Sequence, residues 1–316
     1  MGAVFDAIGV FFEQLASVQF GPLLLAICGH LLKTLCTSRA WRNAIAAAYP
    51  EEPVPWRTIY GAYVSAVGVN AVLPARGGDA VKLYLAHRAV KGATYTTLAS
   101  TLLVLAIFDS SVAGLMFLYA LTLGALPGLG ALPNLPGFDF RWIGESPELA
   151  IALGFALVIF AIFGGVWLRF RVHDLKERVQ QGLVVLHDRE RYLRTVAAWQ
   201  AGDWTLRLVS IWFFLGAFGI EQSVRNVLLV QVTQSLATLV PVSPGGIGTE
   251  QAFIVYVFRG QGIARSTLLA FSVGMKIVLT VVNVVIGFAA IFLTLGTVRF
   301  RKVVAVPDGE APPPAR

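Results

Sequence analysis

The sequence predicts an all-α polytopic membrane protein, an inverted-repeat helical bundle that contains two re-entrant helical hairpins. The first observation behind this fold class is the composition: 56% of the 316 residues are hydrophobic and 14% are charged, against roughly 25% charged residues in soluble domains. The second is a set of apolar runs long enough to span a bilayer. The third is a pair of longer apolar stretches that prolines and glycines interrupt.

Five apolar runs have the length of a spanning helix, which needs about 20 mostly apolar residues to cross ~30 Å of hydrocarbon. They are residues 20–37, 94–122, 148–170, 204–220 and 266–296. The mean hydropathy of the chain is +0.71, and so few charged side chains could not cover a soluble core of this size. We therefore expect a multi-pass protein of the cytoplasmic membrane.

Two further apolar stretches, 58–90 and 226–258, are too long for one span, and each is broken near its middle. The breaks, at 73–79 and 241–248, are rich in proline and glycine. Proline ends helices, and glycine adopts backbone angles that other residues resist. Each stretch is predicted to form a re-entrant hairpin. The alternative is two complete helices joined by a tight loop, which periodicity does not exclude.

Charge predicts how these segments are oriented. Basic residues flank the first broken stretch on both sides, as at Arg57 and Lys91, which is typical of a cytoplasmic face. The loop at 169–203 is also basic. We expect the first hairpin to enter from the cytoplasm and the second from outside, although Arg259 and Arg265 run against the second assignment. The N-terminus is then outside and the C-terminus cytoplasmic.

These assignments predict one integral membrane domain at 1–302. Repeat one covers about 20–122, a linking span and a cytoplasmic loop cover about 123–203, and repeat two covers about 204–297. Residues 303–316 are expected to form a disordered cytoplasmic tail, because a proline-rich segment cannot build a core. Interrupted segments at corresponding positions of two oppositely oriented halves are typical of the substrate site of an alternating-access transporter.

The two breaks carry residues suited to an anionic ligand. Non-helical backbone inside a membrane is tolerated only where protein or a water-filled cavity surrounds it, so both breaks are expected to line a cavity. Arg76 offers a guanidinium that matches phosphate oxygens, and Lys82 offers a second positive charge. Alternatively, Arg76 pairs with Asp79, and Lys82 is a cytoplasmic anchor. The candidate substrate-binding residues are Asn70, Pro74, Arg76, Gly77, Gly78, Asp79, Lys82, Ser243, Pro244, Gly245, Gly246, Gly248 and Glu250.

Glu250 follows the second break directly, and three roles are open for it. It could balance an arginine, carry a proton, or cap the helix predicted to start near Thr249. An acidic side chain inside a membrane is expensive unless it is paired or functional. The sequence alone does not choose between these roles.

Six further polar residues lie within the apolar runs and are candidates for a polar core or for coupling to an ion: His30, Lys33, Asp109, Gln234, Lys276 and Asn283. Such groups usually face the bundle interior or water. Lys276 and Asp109 are candidate ion partners. Lys33 either faces the core or extends to the cytoplasmic interface. For His30 and Asn283, hydrogen bonds between helices are expected.

The breaks, Pro74-x-Arg76-Gly77-Gly78-Asp79 and Pro241-x-Ser243-Pro244-Gly245-Gly246-x-Gly248-x-Glu250, resemble the two signature stretches of the lysylphosphatidylglycerol synthase transmembrane region family. The resemblance extends over nearly the whole chain, from about residue 22 to residue 297. It implies a flippase-like integral membrane protein, related to the membrane domain of the multiple peptide resistance factor. The soluble aminoacyl-transferase domain of the fused members has no counterpart in this sequence, so we do not expect lysine transfer.

Motifs of several function classes are absent from the sequence. There is no nucleotide-binding P-loop, no H-E-x-x-H zinc motif and no G-x-S-x-G nucleophile motif. We therefore expect no catalytic residue, no metal ion, no cofactor and no nucleic-acid partner. The leading hypothesis is that the protein is not an enzyme and moves an anionic phospholipid or polyprenyl-phosphate-linked lipid across the membrane.

Two other hypotheses remain open. A membrane-embedded enzyme or enzyme subunit that acts on a lipid-linked sugar or phospholipid headgroup would use Asp79 and Glu250 for acid–base chemistry. A scaffold would instead recruit a lipid-modifying enzyme or a glycosyltransferase through the basic loop at 169–203.

Overall fold

A computed structural model describes residues 17–73, 77–122, 176–239 and 248–295. Within these ranges the chain forms helices and no strand, which confirms the all-α class. A π-helical turn at Leu193–Ala197 leads into the fifth of the longer helices. Those helices are α1 (Phe20–Ala48), α2 (Trp56–Val72), α3 (Gly77–Ala89), α4 (Tyr95–Thr122), α5 (Ala198–Ala217), α6 (Val224–Leu239), α7 (Thr249–Val257) and α8 (Arg265–Leu295).

Three helices of the described part are long and apolar enough to cross a membrane: Phe20–Ala48, Tyr95–Met116 and Arg265–Leu293. They match the spans predicted at 20–37, 94–122 and 266–296, although α1 continues well beyond residue 37. Helix α5 covers most of the run at 204–220 but begins earlier and is not among these three. The span predicted at 148–170 lies outside the described residues, as does the tail at 303–316.

Neighbouring groups hold the two arginines of α1 that lie beyond its apolar part. The Arg39 guanidinium lies 5.5 Å from the Trp56 ring centroid and 6.0 Å from the Trp199 ring centroid. Arg42 donates through Nε to the carbonyl oxygen of Val54 over 2.8 Å. Cation–π contacts and a charged hydrogen bond therefore give both cations partners inside the protein.

One face of α8 is exposed and wholly apolar. Ile277, Val281, Val285, Phe288 and Phe292 recur every three or four residues, and each is at least 40% exposed. This spacing places them on a single stripe of the helix. A contiguous apolar face of this length is an unfavourable surface in water and a favourable one in lipid, which agrees with an integral membrane protein.

Helices α1 and α5 form the main helix–helix contact and run antiparallel. Near the start of α1, Ser210 donates through Oγ to the carbonyl oxygen of Ala26 over 2.8 Å. Further along α1, Thr37 donates through Oγ1 to Oδ1 of Asp203 over 2.6 Å. Early residues of one helix therefore meet late residues of the other.

The buried apolar residues form two clusters at opposite ends of α1. One cluster joins the C-terminal part of α1 to α2 and α3, through residues such as Ile45, Ile59 and Ala86. The other joins Ala26 near the start of α1 to α5, α6, α7 and α8, through residues such as Ile254. The two helix pairs that flank the breaks, α2 with α3 and α6 with α7, are thus anchored at opposite ends of the molecule.

The helices of the two halves make equivalent contacts. Helix α2 packs against α3 and α8, and its counterpart α6 packs against α7 and α4. The α2–α8 crossing is close because it uses glycines: a Cβ on Gly68 would lie 2.6 Å from Cα of Gly287. Small residues at such a crossing are typical of membrane helices. This exchange of equivalent contacts agrees with the inverted repeat expected from the sequence.

Candidate functional site

The first break is held together by one hydrogen bond between its two helices. Asn70, near the end of α2, accepts through Oδ1 from the backbone N–H of Gly78 over 2.8 Å, so it caps the start of α3. A side chain at Gly78 would collide with the carbonyl oxygen of Ala66. The glycine predicted there therefore permits close packing of two helices. Pro74 and Arg76 lie outside the described residues.

The charges that follow the first break are paired with each other. Lys82 Nζ lies 2.9 Å from Oδ1 of Asp79, one turn earlier in α3. The same ammonium lies 5.9 Å from the centroid of the Trp41 ring. Lys82 thus has a local partner, and the pairing of Arg76 with Asp79 stays untested because Arg76 lies outside the described residues. Phosphate contact by Arg76 or Lys82 stays a prediction.

The second break leads into α7 through a backbone that requires glycine. Gly248 has φ of +88°, a conformation that side chains strongly disfavour. Its N–H donates to Oε1 of Gln251 over 2.7 Å, so Gln251, and not Glu250, caps this helix. Ser243, Pro244, Gly245 and Gly246 lie outside the described residues.

Glu250 connects α7 to two other helices. Lys276 on α8 lies 3.2 Å from its Oε2, and Gln234 on α6 donates to its Oε1 over 3.4 Å. Glu250 therefore balances a lysine, where the sequence considered an arginine. The alternative pairing of Lys276 with Asp109 is wrong, because Lys276 pairs with Glu250 and Asp109 on α4 accepts from Gln200 and Trp204 instead.

Two more of the predicted core polar residues find partners on other helices. His30 Nε2 on α1 lies 2.7 Å from Asn283 Oδ1 on α8, which is the interhelical hydrogen bond expected of both. Asp109 on α4 accepts through Oδ1 from Trp204 over 2.8 Å and from Gln200 over 3.1 Å. Both contacts tie an outer span to the central α1–α5 pair.

Sequence reasoning missed the ion pair inside α5. Arg207 Nη2 lies 2.9 Å from Oδ2 of Asp203, which is 1% exposed. The Arg207 guanidinium also lies 4.6 Å from the Trp204 ring centroid. An acidic and a basic residue four positions apart inside an apolar run were the available signal, because such a pair shares one helix face.

These helices enclose a cavity of about 180 Å³. Its polar lining comes from His30 and Lys33 on α1, Arg207 and Ser210 on α5, and Gln234 on α6. The remaining walls are apolar, at Ile211, Phe214, Met275 and Leu279. The cavity thus joins α1 of the first half to three helices of the second.

Only one of the two helix pairs borders this cavity. Gln234 belongs to α6, whereas none of the described residues of α2 or α3 is among the lining. Two charged residues that face the cavity, Lys33 and Arg207, come from the central α1–α5 pair. The sequence predicted that both breaks line a cavity. In the described part of the chain, the charged residues that line this cavity belong instead to α1 and α5.

The model of the lysylphosphatidylglycerol synthase TM region family matches residues 4–287 of the chain. The chain belongs to this family. No curated protein matches it at a significant level. Membership in the lysylphosphatidylglycerol synthase TM family points to a membrane function related to lipids.

The described residues of this family member contain no group of three or more His, Cys, Asp or Glu side chains that could hold a metal ion. The charged and polar groups at its cavity are suited to other chemistry. Guanidinium and ammonium groups bind phosphate oxygens, and part of the cavity wall is apolar. A small anionic headgroup is the kind of ligand that this surface can bind.

Proposed function

We propose that this protein moves an anionic lipid, a phospholipid or a polyprenyl-phosphate-linked lipid, between the leaflets of the cytoplasmic membrane. The observation that carries the proposal is the cavity bordered by Lys33 and Arg207, at the junction of the two halves. A charged headgroup needs a polar path through hydrocarbon, since an unpaired charge in a low-dielectric medium is very costly. The family's relation to lipids supports the same substrate class.

The lengths of the described helices in both pairs support the re-entrant hairpins of this proposal. Helices α2 and α3 contain 17 and 13 residues, and α6 and α7 contain 16 and 9. At 1.5 Å per residue they are about 14–26 Å long, short of the ~30 Å of a hydrocarbon core. In our proposal both pairs enter the membrane from opposite faces and end near its middle, as in an inverted-repeat transporter.

The proposed orientation rests on charge at one end of the molecule. Hydrogen bonds from Thr94 N to Tyr49 Oη and from Gln181 Nε2 to the carbonyl oxygen of Ala48 join the segments there. Exposed basic residues are more numerous at this end than exposed acidic ones, which favours the cytoplasm. They are Arg57, Arg88, Lys91, Lys176, Arg178, Arg189, Arg191 and Arg194.

In this proposal the protein does not change its lipid chemically. An enzyme of lipid modification or a glycosyltransferase then supplies or consumes the transported lipid and is the expected partner. The embedded-enzyme alternative uses Asp79 and Glu250 for acid–base chemistry. Each of these carboxylates is paired with a lysine, so neither is a free base. No observation favours that alternative over transport.

A dithionite assay in proteoliposomes tests the proposal. Fluorescent NBD-phosphatidylglycerol is reduced only in the outer leaflet, so protein-free vesicles lose about half of their signal. Vesicles with the wild-type protein are expected to lose more, and mass spectrometry should recover the lipid unmodified. Loss no greater than in protein-free vesicles would contradict transport.

Two tryptophan substitutions on α8 test whether the cavity is the path. Leu279→Trp fills the cavity wall, whereas Val281→Trp adds the same bulk to the lipid-exposed face. Leu279→Trp should slow translocation at least tenfold, and Val281→Trp should leave it unchanged. Equal rates for the two variants would remove the cavity from the proposed route.

A further inference from the structure

The carboxylates of α1–α8 differ in whether a cation lies beside them. Three of the four have a lysine or arginine within 4.0 Å: Asp79 with Lys82, Asp203 with Arg207, and Glu250 with Lys276. The fourth, Asp109, lies near the middle of α4, one of the three helices long and apolar enough to cross a membrane. Among the described residues, Asp109 is therefore the carboxylate of these helices that has no ion pair.

Neutral groups hold Asp109 instead of a cation. Its Oδ1 accepts from Nε1 of Trp204 over 2.8 Å and from Nε2 of Gln200 over 3.1 Å, whereas none of the described residues donates to its Oδ2. A carboxylate at membrane depth is costly unless it is paired or serves in a proton pathway. Oδ2 is therefore the oxygen of Asp109 that is open to a proton.

The Gln200 amide is suited to both protonation states of Asp109. Gln200 is 1% exposed, and its buried Oε1 has no hydrogen-bond partner in the described part of the chain. A buried acceptor without a donor is costly. Rotation of the amide by half a turn exchanges its two ends, so that Oε1 accepts from a protonated Asp109 while Nε2 serves the ionised form. The unused acceptor thus points to a proton that Asp109 carries part of the time.

Ionisable groups of other segments surround Asp109. Those that interact with it electrostatically are Lys33 on α1, Tyr63 on α2, Tyr192 before α5, and Asp203 and Arg207 on α5. Helices α3 and α6 also pack against α4, but none of the ionisable residues described there is among these groups. The charges that act on Asp109 therefore come mainly from the central α1–α5 pair.

The charge of Asp109 acts on two residues of the cavity wall. Lys33 and Arg207 line the cavity, and both interact electrostatically with Asp109. An ionised Asp109 offsets part of the positive potential of these two cations, and a protonated Asp109 does not. A proton on Asp109 therefore strengthens the binding of an anion in the cavity, and a bound anion strengthens the binding of the proton by the same factor.

We propose that Asp109 takes up one proton and releases it in each transport cycle, so that the protein moves a proton together with its anionic lipid. This inference rests on the proposed function and names its driving force, the proton gradient. A proton from water on one side of the membrane forms an O–H bond with Asp109, and that bond breaks to return the proton to water on the other side. No other bond forms or breaks, so the step needs no co-reactant.

Infrared difference spectroscopy of the purified full-length protein tests the proton site without any transport step. A protonated carboxyl group shows the C=O stretch of a carboxylic acid, and exposed carboxylates are ionised near neutral pH and do not contribute to it. The wild-type protein should gain this band between a mildly alkaline and a mildly acidic buffer. Asp109→Asn should lack the band. The control is Glu190→Gln, which removes an exposed carboxylate and should keep it.

A pH gradient across proteoliposomes tests the coupling. With an acidic exterior, the wild-type protein should move NBD-phosphatidylglycerol inward, so that more than half of it is protected from dithionite after nigericin collapses the gradient. An acidic lumen should reverse the shift. Asp109→Asn cannot release a proton and should show no shift beyond that of protein-free vesicles, whereas Glu190→Gln should behave as wild type. A shift that Asp109→Asn retains would overturn the coupling.

Trp204→Phe gives a second measurement if Asp109→Asn does not fold. The substitution keeps an aromatic ring beside Arg207 but removes the N–H that donates to Asp109, so the acid band should change its frequency. An unchanged band in the folded variant, or no acid band in the wild type, would overturn the site.

The two proposals fail in different ways. Translocation by the wild-type protein that a pH gradient does not shift would contradict proton coupling alone. An acid band assigned to Asp109 without any translocation in vesicles would contradict the transport proposal and leave the proton site intact.

Discussion

The two helix pairs beside the breaks hold their polar groups in different ways. In the first pair the contacts stay local: Asn70 caps the start of α3 at Gly78, and Asp79 pairs with Lys82 inside one helix. In the second pair, Glu250 reaches Lys276 on α8, a helix that borders the cavity. The hydrogen bond and the ion pair beside the first break thus stay within α2 and α3, whereas an ion pair beside the second break leads to a helix of the candidate site.

The difference extends to the way each pair is fastened to its neighbours. The first is attached to α8 by backbone packing between Gly68 and Gly287. The second is attached to the same helix by apolar packing around Ile254 and, in addition, by an ion pair. Close packing depends on volume alone, and an ion pair depends on the charge state and on any anion nearby. The comparison therefore predicts rigid behaviour in the first pair and ligand-sensitive behaviour in the second.

The largest effect on stability is expected from Gly68→Ala. The new Cβ would lie 2.6 Å from Cα of Gly287 and 2.9 Å from the carbonyl oxygen of Asn283, so two backbones must separate. Overpacking of this kind costs about 3 kcal/mol, which should appear as a lower melting temperature in detergent. The control is Gly114→Ala in α4, where nothing lies within 4 Å. A Gly68→Ala protein as stable as the control would show that this crossing is not close.

The next largest effect is expected from Glu250→Gln. Removing the charge opposite Lys276 should cost about 2 kcal/mol, because Glu250 is buried while the lysine keeps partial access to solvent. Thermal unfolding of the purified protein measures it. The double variant Glu250→Gln with Lys276→Gln should recover part of the loss. No recovery would mean that the two side chains do not interact in the native protein.

A smaller effect is expected from Asn70→Ala. The change removes the acceptor for the Gly78 N–H, and the loss of a helix cap costs about 1 kcal/mol. Gln251→Ala removes the corresponding cap of α7 and should cost a similar amount. Melting temperatures of the two variants compare the caps directly, and a loss above that of Glu250→Gln in either would contradict the assigned role.

The smallest effect is expected from Asp79→Asn. Its side chain is 39% exposed, and its partner is three residues away in the same helix, so the pair should contribute less than ~1 kcal/mol. Melting temperature and phosphatidylglycerol binding should both stay close to wild type. A large loss of binding with normal stability would instead support the phosphate-binding role that the sequence gives to this break.

Local signals in the sequence predicted much of the fold. Proline and glycine at 73–79 and 241–248 fall where α2 ends and α3 begins, and where α6 ends and α7 begins. Asn70 and Gly78 were selected as neighbours of a break, and they do contact each other. These features depend on backbone conformation within a few residues, which residue type controls directly.

The partners of the charged residues were predicted less well. Lys276 was assigned to Asp109 as a candidate partner and pairs with Glu250, and Arg207 was not selected at all. The distance between two side chains on different helices depends on which helices pack and on their rotation. A single sequence does not contain that information in its local pattern.

The sequence by itself determined that this chain is an all-α membrane protein, where its helices are interrupted, and to which family it belongs, because hydrophobic length and backbone preference act within one segment. The tertiary structure alone decided that Lys33 and Arg207 border one cavity while Asp203 beside them is already paired. The physical reason is that electrostatic free energy depends on distances in space, and only the antiparallel packing of α1 on α5 sets those distances.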